Sequence, residues 1–303
     1  MRRVAVTGAT GRLGLALLAA AADEAAIGSG GVVSWSRPEF DLDRPTAFAT
    51  LVREAHPDLV IHAAAWTDVD GCAGDPVLAM RRNGDATAAL AAICAGNGID
   101  LVFVSTNEVF DGRRTDGRGY APADPVGPIN AYGESKLAGE ERARLAYAGA
   151  GSTGPRLMVV RTAWLFGPPA TDFPSKILAA AARARGAGEP LRVVSDEIGS
   201  PTYATDLAVA IVAAAAHGPA SGTYHVVNAG TASRSAWARE VLRLTGTAVE
   251  MEEVPAVAWR RPSRAPLWAV LEASAGFGGP LREWREALAA YLDRGSRAAV
   301  GAA

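Results

Sequence analysis

The sequence predicts an α/β protein with a doubly wound parallel sheet followed by a smaller C-terminal lobe. Short apolar runs alternate with Ala- and Leu-rich stretches through the first half of the 303 residues. Continuous apolar runs are typical of strands buried on both faces, and strand–helix alternation favours a parallel sheet. A chain of about 300 residues can bury roughly 75% of its unfolded surface, and its length predicts two domains of about 150 residues each.

The alternation locates the elements of the first half in order. The expected strands are short and apolar, at 4–7, 32–36, 58–62, 101–105 and 157–162. The expected helices lie between them, at 13–22, 45–55, 76–96 and 131–146. Each boundary rests on the change from a continuous apolar run to an Ala- and Leu-rich stretch of helical length.

The pattern loosens after Gly167, where Pro168-Pro169 interrupt the chain. Further strands are expected at 191–194 and 223–227, and further helices at 235–244 and 281–294. The stretch 258–266, which is rich in Arg and Pro, is expected to be irregular. The C-terminal stretch 295–303 is expected to be frayed. We therefore predict a sheet domain over 1–167, to which 196–228 returns, and a lobe over 168–195 and 229–303.

Charge and cysteine content exclude several classes of protein. The 30 Lys and Arg residues nearly balance the 32 Asp and Glu residues, for a formal net charge of -2. Such a chain has no electrostatic footprint for nucleic acid or an anionic membrane. Cys72 and Cys94 are too few for a disulfide scaffold or a four-cysteine zinc site, and the histidines are scattered. We expect buried thiols in a reducing compartment and no catalytic metal.

The N-terminus has the outline of a secretory signal, since two arginines precede an apolar stretch at 13–22. Three glycines and the charge of Arg12 interrupt this outline, and a ligand-binding turn explains the glycines better. No run of about 18 uninterrupted apolar residues marks a membrane span. The sequence therefore predicts a cytoplasmic protein without a membrane segment.

A glycine-rich turn follows the first expected strand and opens the first helix, with the sequence Thr7-Gly8-Ala9-Thr10-Gly11-Arg12-Leu13-Gly14. Gly8 permits a tight turn, Gly11 lets the backbone approach a pyrophosphate, and Gly14 lets helix and strand pack closely. Backbone N–H groups at the helix start would hold the phosphates. This context predicts a Rossmann-type dinucleotide site. Its candidate cofactor-binding residues are Gly8, Thr10, Gly11, Arg12, Leu13 and Gly14.

The end of the second strand is expected to reach the ribose of the adenosine. An acidic residue there favours NAD, whereas a basic residue accommodates the 2′-phosphate of NADP. The sequence reads Trp35-Ser36-Arg37, without an acid. Ser36 and Arg37 therefore favour NADPH, with NADH as the alternative. Asp41 and Leu42 follow where the chain could turn beneath the adenine.

Tyr132 and Lys136 lie four residues apart and thus on one face of an expected helix. A phenol with a pKa of about 10 is a poor acid–base group at neutral pH, and a neighbouring ammonium lowers that pKa. The pair fits a general acid that protonates a carbonyl oxygen as hydride arrives. Ser105 and Thr106 place hydroxyls at the end of the fourth strand, where parallel sheets bind ligands. The predicted catalytic residues are Thr106, Tyr132 and Lys136.

Together these motifs resemble the extended short-chain dehydrogenase/reductase family, and within it the dTDP-4-dehydrorhamnose reductases. The resemblance covers nearly the whole chain in the expected order. The matching stretches are HAAAWTDVD (62–70), STNEVFDG (105–112), NAYGESKLAGE (130–140), RTAWLFG (161–167), GSPT (199–202) and RRP (260–262). The resemblance implies a Rossmann domain and a C-terminal lobe that binds a nucleotide-sugar. Relatives often form homodimers, so a homodimer is one possibility here, and the sequence leaves the oligomeric state open.

The resemblance also implies roles for individual residues. Tyr132 protonates the C4 oxygen of the sugar, while Lys136 holds the nicotinamide ribose and lowers the tyrosine pKa. Thr106 hydrogen-bonds the carbonyl, and Asn83 matches a helix asparagine that supports the site. The cofactor is lined by Ala63, Ala64 and Ala65. The residues placed near the sugar are Thr67, Val69, Asp70 and Trp164. Arg260 and Arg261 are candidates for binding the pyrophosphate or for framing the C-terminal lobe.

The sequence departs from the reductases at Asn107 and Glu108, where they usually carry Asp-Tyr. The change approaches the Thr-Asp-Glu pattern of nucleotide-sugar 4,6-dehydratases, whose Asp and Glu remove water across C5–C6. Asn107 carries an amide and cannot serve as a carboxylic acid, which disfavours that elimination. Glu108 could act as a base or alter substrate choice, so both residues are candidates for the substrate site. Ala265 is a further departure, since the reductases often carry serine there.

Three functions are compatible with these residues. The first is NADPH-dependent reduction of a dTDP-linked 4-keto-6-deoxy sugar. The second is a nucleotide-sugar 4,6-dehydratase or epimerase with tightly bound NAD, which the missing acid after the second strand disfavours. The third is a non-catalytic NADP-binding regulatory subunit, which the intact catalytic trio disfavours. The expected partner is therefore a nucleotide-sugar, with no nucleic acid and no membrane.

Overall fold

A computed structural model describes residues 2–27, 31–151, 153–217 and 220–300. Its helices are α1 (Arg12–Asp23), α2 (Phe48–Ala55), α3 (Val69–Gly74), α4 (Pro76–Ala79), α5 (Ala86–Gly96), α6 (Ala131–Tyr147), α7 (Phe173–Ala187), α8 (Ala204–His217), α9 (Arg234–Leu244) and α10 (Trp284–Val300). Its strands are β1 (Val4–Thr7), β2 (Val32–Trp35), β3 (Leu59–His62), β4 (Asp100–Thr106), β5 (Leu157–Thr162), β6 (Leu165–Phe166), β7 (Leu191–Val194), β8 (Ile198–Gly199), β9 (Thr202–Tyr203), β10 (Gly222–His225), β11 (Asn228–Ala229), β12 (Ala232–Ser233), β13 (Met251–Val254), β14 (Trp268–Ala269) and β15 (Leu281–Glu283).

Six strands form one parallel sheet in the order β10-β5-β4-β3-β1-β2. In the register of the sheet, Val4 lies opposite both Val32 of β2 and Leu59 of β3. The chain adds β2 on one side of β1 and then β3, β4 and β5 on the other. The strand order therefore reverses between β1 and β3, which is where open α/β sheets bind ligands.

Alternate residues of each central strand enter two different apolar layers. In β4, Val102 and Val104 join the layer that packs on α1 and α8. Leu101 and Phe103 join the opposite layer, which packs on α2, α5 and α6. Because successive side chains of a strand point to opposite faces, this division shows that both faces of the sheet are buried. The predicted doubly wound parallel sheet is confirmed.

The C-terminal elements build a separate apolar cluster. Helices α7, α9 and α10 pack around Trp237 and Trp284, which are both fully buried. Strand β10 instead lies at the edge of the main sheet beside β5, and α8 packs on α1. Within 196–228, β10 and α8 thus lie against the first domain, whereas β8 pairs with β12 and β14. The domain boundaries stay a prediction.

Several elements differ from the sequence-based expectation. The expected helix over 76–96 is divided by a π-helical turn at Met80–Asp85. The expected helix over 281–294 begins only at Trp284, because Leu281–Glu283 pairs with β11 as a strand. It then continues to Val300 instead of fraying from 295, while residues 301–303 lie outside the described residues. Helices α7 and α8 are not among the expected elements, since their Ala-rich sequences show little periodicity.

Within the described ranges, none of the helices combines the length and apolar character needed to cross a lipid bilayer. The same residues contain no group of three or more His, Cys, Asp or Glu side chains placed to hold a metal ion. Cys72 and Cys94 are buried free thiols, and burial raises their pKa values to about 11 and about 12 respectively. Both thiols are therefore neutral and inert at physiological pH.

Candidate functional site

A cavity of about 610 Å³ lies at the carboxyl ends of β1 to β5. All residues predicted to bind the cofactor or to catalyse line it, namely Gly8, Thr10, Gly11, Arg12, Leu13, Gly14, Ser36, Arg37, Asp41, Leu42, Ala63, Ala64, Ala65, Thr106, Tyr132 and Lys136. The predicted substrate residues that line it are Thr67, Val69, Asn107, Glu108 and Trp164. Asp70, Arg260 and Arg261 are not part of its lining. Ser105, whose hydroxyl was expected at this strand end, also lines it. The lining residues that were not predicted are Phe40, Asp43, Trp66, Arg82, Val104, Thr162, Ala163 and Leu165.

The glycine turn packs so closely on neighbouring backbone that larger residues at Gly8 or Gly14 would clash. Gly8 has a φ of +66°, and a Cβ there would lie 2.9 Å from the backbone of Ala64. A Cβ on Gly14 would lie 2.1 Å from the carbonyl oxygen of Gly8, so α1 can begin against the turn only with glycine. Gly11 precedes α1 without a side-chain capping bond, which leaves N–H groups of the first turn for an anion. The turn is therefore a cradle of free N–H groups whose chemistry suits a pyrophosphate.

Arg12 joins the glycine turn to the second half of the chain. Its Nε donates to the carbonyl oxygen of Gly167 at 2.8 Å. Its Nη2 donates to Pro169 O at 3.2 Å and to Thr171 Oγ1 at 3.1 Å. The side chain is thus engaged with the segment between β6 and α7, and the backbone of Arg12 remains at the predicted phosphate site.

The end of β2 contacts the glycine turn through Ser36, whose Oγ accepts a hydrogen bond from Thr10 N at 3.2 Å. Arg37 is exposed at the rim of the cavity. Beside it, Arg82 donates to both carboxylate oxygens of Asp43, at 2.9 and 2.5 Å, and holds the pKa of Asp43 below its usual value. The sequence gives no signal for this pair, because its members lie 39 residues apart on different elements.

Tyr132 and Lys136 reach the cavity from the first turns of α6. Lys136 is only 2% exposed, and its Nζ donates to Val104 O at 2.8 Å and lies 4.1 Å from the centre of the Phe103 ring. Burial lowers the pKa of Lys136 to about 7. Thr106 ends β4, and its Oγ1 accepts a hydrogen bond from Glu108 N at 3.2 Å. The structure therefore brings the three predicted catalytic side chains to one wall.

The acidity of Tyr132 differs from the prediction. Burial raises the pKa of Tyr132, the charge of Glu108 raises it further, and a hydrogen bond with Thr106 acts in the opposite direction. Lys136, whose Nζ is directed to a backbone carbonyl, is not among the groups that shift this pKa, so the lowering by Lys136 stays a prediction. A phenol that is kept neutral still holds the proton that a general acid must donate.

A buried ion pair fixes α6 against the sheet. Glu140 lies one turn after Lys136 and accepts hydrogen bonds from Ser105 Oγ at 2.6 Å and from Arg161 Nε and Nη2 at 2.9 and 2.7 Å. Glu140 is fully buried and Arg161 is 3% exposed. Burial acts to raise the pKa of Glu140, but the hydrogen bonds and charge of Arg161 outweigh it and hold the pKa below its usual value. This pair therefore holds the helix that carries Tyr132.

Asn83 connects the loop after β3 to α6 from within the π-helical turn. Its Oδ1 accepts from Trp66 N at 2.8 Å, and its Nδ2 donates to Trp66 O and to Ser135 Oγ, each at 3.0 Å. Single π-helical turns inside α-helices are frequent at functional sites. Asn83 thus occupies the supporting position that the resemblance implies.

Two buried polar atoms at the cavity have no hydrogen-bond partner among the described residues. They are Asn107 Nδ2, just after β4, and Thr162 Oγ1, at the end of β5. A buried polar group without a partner is costly, so both atoms suit a polar ligand. Thr162 was not predicted, although the strand-end reasoning that selected Thr106 applies equally to it.

Asn130 holds the elements around Glu108 together. Its Oδ1 accepts from Gly133 N at 2.8 Å and so caps α6. Its Nδ2 donates to Glu108 Oε2 at 2.7 Å and to Arg264 O at 2.8 Å. Burial raises the pKa of Glu108, which the hydrogen bond from Asn130 partly opposes. Asn130 was not predicted as a site residue, although it lies in the quoted NAYGESKLAGE stretch.

Trp164 lies between two side chains of the C-terminal lobe. It has a φ of +43°, stacks on Trp237 with 5.8 Å between ring centroids, and has Arg234 Cζ 3.6 Å from its ring centre. Arg234 in turn donates from Nε to Glu197 Oε2 at 3.2 Å. Nothing in the local sequence marks Arg234 or Glu197, because Arg234 meets both Trp164 and Glu197 across long stretches of the chain.

The remaining predicted substrate residues lie beside the cavity. Arg261 Nε donates to Asp70 Oδ1 at 3.0 Å, and Ser263 N donates to the same oxygen at 3.1 Å. Asp70 therefore docks the segment over 258–266 onto α3. Arg260 is exposed, and its contact with a pyrophosphate stays a prediction.

Known proteins resemble this chain over nearly its whole length. The family model described as the RmlD substrate binding domain matches residues 1–297. The dTDP-4-dehydrorhamnose reductase of Mycobacterium tuberculosis (strain CDC 1551 / Oshkosh) is 37% identical over 298 residues, covering 96% of this chain and 92% of that protein. The dTDP-4-dehydrorhamnose reductase of Sinorhizobium fredii is 33% identical and covers 94% of each chain.

A solved structure agrees with this relationship. The dTDP-4-dehydrorhamnose reductase of Bacillus anthracis str. Ames, crystallised in complex with NADP, superposes with a TM-score of 0.84. It is 28% identical, and the match covers 97% of this chain and 99% of that chain. The chain therefore belongs to the dTDP-4-dehydrorhamnose reductase family, within the extended short-chain dehydrogenase/reductases that its motifs resemble.

Proposed function

We propose that this protein is an NADPH-dependent reductase that converts a dTDP-linked 4-keto-6-deoxy sugar into the 4-hydroxy sugar. The observation that carries the proposal is that Thr106, Tyr132 and Lys136 line the same cavity as the glycine turn. Reduction of a carbonyl needs a hydride and a proton at one place, and this cavity combines a dinucleotide cradle with a phenol. The names of the relatives support the sugar class, and the Bacillus anthracis complex supports NADP.

The cavity offers distinct places for the parts of the cofactor. The N–H groups of the glycine turn would hold the pyrophosphate, while Ser36 and Arg37 would hold the 2′-phosphate. Ala63, Ala64 and Ala65 present small side chains against which the dinucleotide would lie. Bound NADPH supplies the hydride. The unpartnered Thr162 Oγ1 offers one further hydroxyl at this wall.

The chain's own residues would orient the carbonyl and supply the proton. Tyr132, which burial and Glu108 keep protonated, donates its proton to the C4 oxygen as that oxygen gains negative charge. Thr106 hydrogen-bonds the same oxygen and restricts its position. Lys136 Nζ, fixed by Val104 O, has further N–H groups that suit the hydroxyls of the nicotinamide ribose. The fixed geometry of α6 keeps these groups aligned.

The proposed function is tested by following NADPH absorbance with purified protein and a dTDP-4-keto-6-deoxy sugar. We expect absorbance to fall only when protein, sugar and cofactor are all present. A preparation that carries NAD and converts dTDP-glucose without added cofactor would instead identify a dehydratase. Binding of NADP without turnover of any keto-sugar, together with a stable protein partner, would identify a regulatory subunit. The amide of Asn107 and the intact trio weigh against these two outcomes.

Replacing Arg37 tests the cofactor preference. We expect Arg37→Ala to lower kcat/KM for NADPH roughly 10- to 100-fold, because a charged hydrogen bond to the 2′-phosphate contributes about 1.5–3 kcal/mol. The value for NADH, which has no such phosphate, should change little. Arg53→Ala removes an exposed arginine of α2 and serves as the control. An unchanged ratio of the two efficiencies would remove Arg37 from the cofactor site.

A further inference from the structure

Glu108 is an unusual residue in the wall of this cavity. It lies in the single 3-10 turn Asn107–Val109 after β4 and is only partly exposed. Asn130 Nδ2 holds one carboxyl oxygen, Oε2, at 2.7 Å. No donor among the described residues reaches the other oxygen, Oε1. Because Glu108 lines the cavity, a bound ligand would meet this carboxyl group.

The turn that carries Glu108 packs directly on the turn that carries Tyr132. A Cβ on Gly133 would lie 2.1 Å from the carbonyl oxygen of Glu108, so glycine is required for this close approach. The two side chains are also close enough for the charge of Glu108 to act on the Tyr132 phenol. A sugar whose carbonyl oxygen meets Tyr132 would therefore place a carbon next to that carbonyl near Glu108.

The chemistry of the sugar decides which neighbouring group fits. In a 4-keto-6-deoxy sugar, C5 carries a methyl group and C3 carries a hydroxyl. A desolvated carboxylate needs a hydrogen-bond donor, which only the C3 side provides. Arg234 and Arg261 already partly compensate the negative charge of Glu108. An ammonium group at C3 of the sugar would therefore be attracted less strongly than by a carboxylate without cationic neighbours.

Asn107 provides a complementary donor in the same turn. Its Nδ2 is buried and unpartnered, as described above. A hydroxyl group both donates and accepts hydrogen bonds, whereas an ammonium only donates. The combination of a carboxylate oxygen without a donor and an amide N–H without an acceptor therefore favours a hydroxyl over an amine.

We propose that Glu108 determines substrate specificity by accepting a hydrogen bond from the C3 hydroxyl of the 4-keto sugar, with Asn107 Nδ2 as the accompanying donor. This inference rests on the proposed function, since it takes C4 as the reacting carbon. It assigns a role to the position where the chain departs from the Asp-Tyr pair of the reductases. Glu108 touches the substrate beside the reacting carbon and transfers no proton.

The test compares three dTDP-4-keto-6-deoxy sugars, which carry a hydroxyl, a hydrogen or an amino group at C3. We expect the wild-type protein to favour the 3-hydroxy sugar over the 3-deoxy sugar by roughly 10- to 100-fold in kcat/KM, as for a hydrogen bond to a charged group. Glu108→Gln should lower this ratio to roughly 2- to 10-fold, because a hydrogen bond between neutral groups replaces one to a charged group. Since Asn130 donates to the oxygen at this position, the new amide would turn its N–H group toward the hydroxyl, which can still accept from it. Glu134→Gln, on the exposed side of α6, should leave the ratio unchanged.

A binding measurement on Glu108→Gln separates specificity from general damage. Calorimetry should show weaker binding of the reduced 3-hydroxy sugar nucleotide to this variant, with binding of the 3-deoxy form unaffected. Equal turnover of the hydroxy and deoxy sugars by the wild type, or preference for the amino sugar, overturns the inference and leaves the reductase function standing. Turnover of none of the three sugars overturns both.

Discussion

Tyr132→Phe should reduce kcat roughly 10²- to 10⁴-fold, which is the contribution that a positioned general acid usually makes. The substitution removes only the phenolic oxygen, so the ring still fills its half-buried place in the cavity wall. The C4 oxygen would then gain negative charge without a proton donor within hydrogen-bond distance. Turnover is measured by NADPH consumption under saturating sugar, and cofactor affinity by fluorescence titration.

The same exchange elsewhere provides the control. Tyr224 lies in β10, and its hydroxyl donates to Ala220 O at 2.9 Å, away from the cavity lining. Tyr224→Phe should retain the wild-type kcat, and both variants should bind NADPH as the wild type does. A Tyr132→Phe protein that keeps most of the wild-type kcat would show that another group donates the proton.

Glu140→Ala should destabilise the protein by about 3–5 kcal/mol, because it leaves the buried guanidinium of Arg161 without its carboxylate. Ser105 Oγ loses its acceptor as well, and a void opens between α6 and the sheet. The free energy of unfolding is measured by urea titration monitored by circular dichroism. Glu253→Ala, which breaks the exposed pair with Arg239, should cost only about 0–1 kcal/mol.

The Glu140 pair also predicts how stability depends on pH. Its carboxyl has a lowered pKa in the folded protein, so the unfolded chain takes up the proton more readily. The stabilisation is therefore fully present above the unfolded pKa and is lost as the pH falls through the folded pKa. The difference in unfolding free energy between wild type and Glu140→Gln should shrink on acidification below about pH 4, near the ordinary glutamate pKa. A difference that stays constant across that range would contradict this role.

The sequence predicted the main sheet well because local patterns determine it. Each central strand is a continuous apolar run, and the turn that follows β1 has a glycine spacing that no ordinary turn requires. The elements that were wrong or missed depend on distant partners. Leu281–Glu283 looks like the start of a helix but pairs with β11, and the π-helical turn is fixed by the contacts of Asn83 with Trp66 and Ser135.

The site shows the same division between local and distant determinants. Strand ends and helical spacing were sufficient to find Thr106, Tyr132 and Lys136, since both features can be read within a few residues. The direction of the Tyr132 pKa depends on burial and on Glu108, which lies 24 residues earlier in the chain and is brought close only by folding. Arg234 against Trp164 depends likewise on the packing of the lobe. Charges that approach one another across the fold leave no periodic signal in a sequence.

Asn130 narrows the choice of amino acid at the start of α6 to a single one. Helix N-caps ordinarily tolerate Ser, Thr, Asp or Asn interchangeably. Here the same side chain must also give N–H bonds to Glu108 and to Arg264 O, which a hydroxyl is too short to reach and a carboxylate cannot donate. An aspartate would keep the cap and set two like charges face to face. An N-cap position, which usually accepts several residue types, thus accepts only asparagine here. Its tolerance to substitution should resemble that of the catalytic residues more than that of other helix ends.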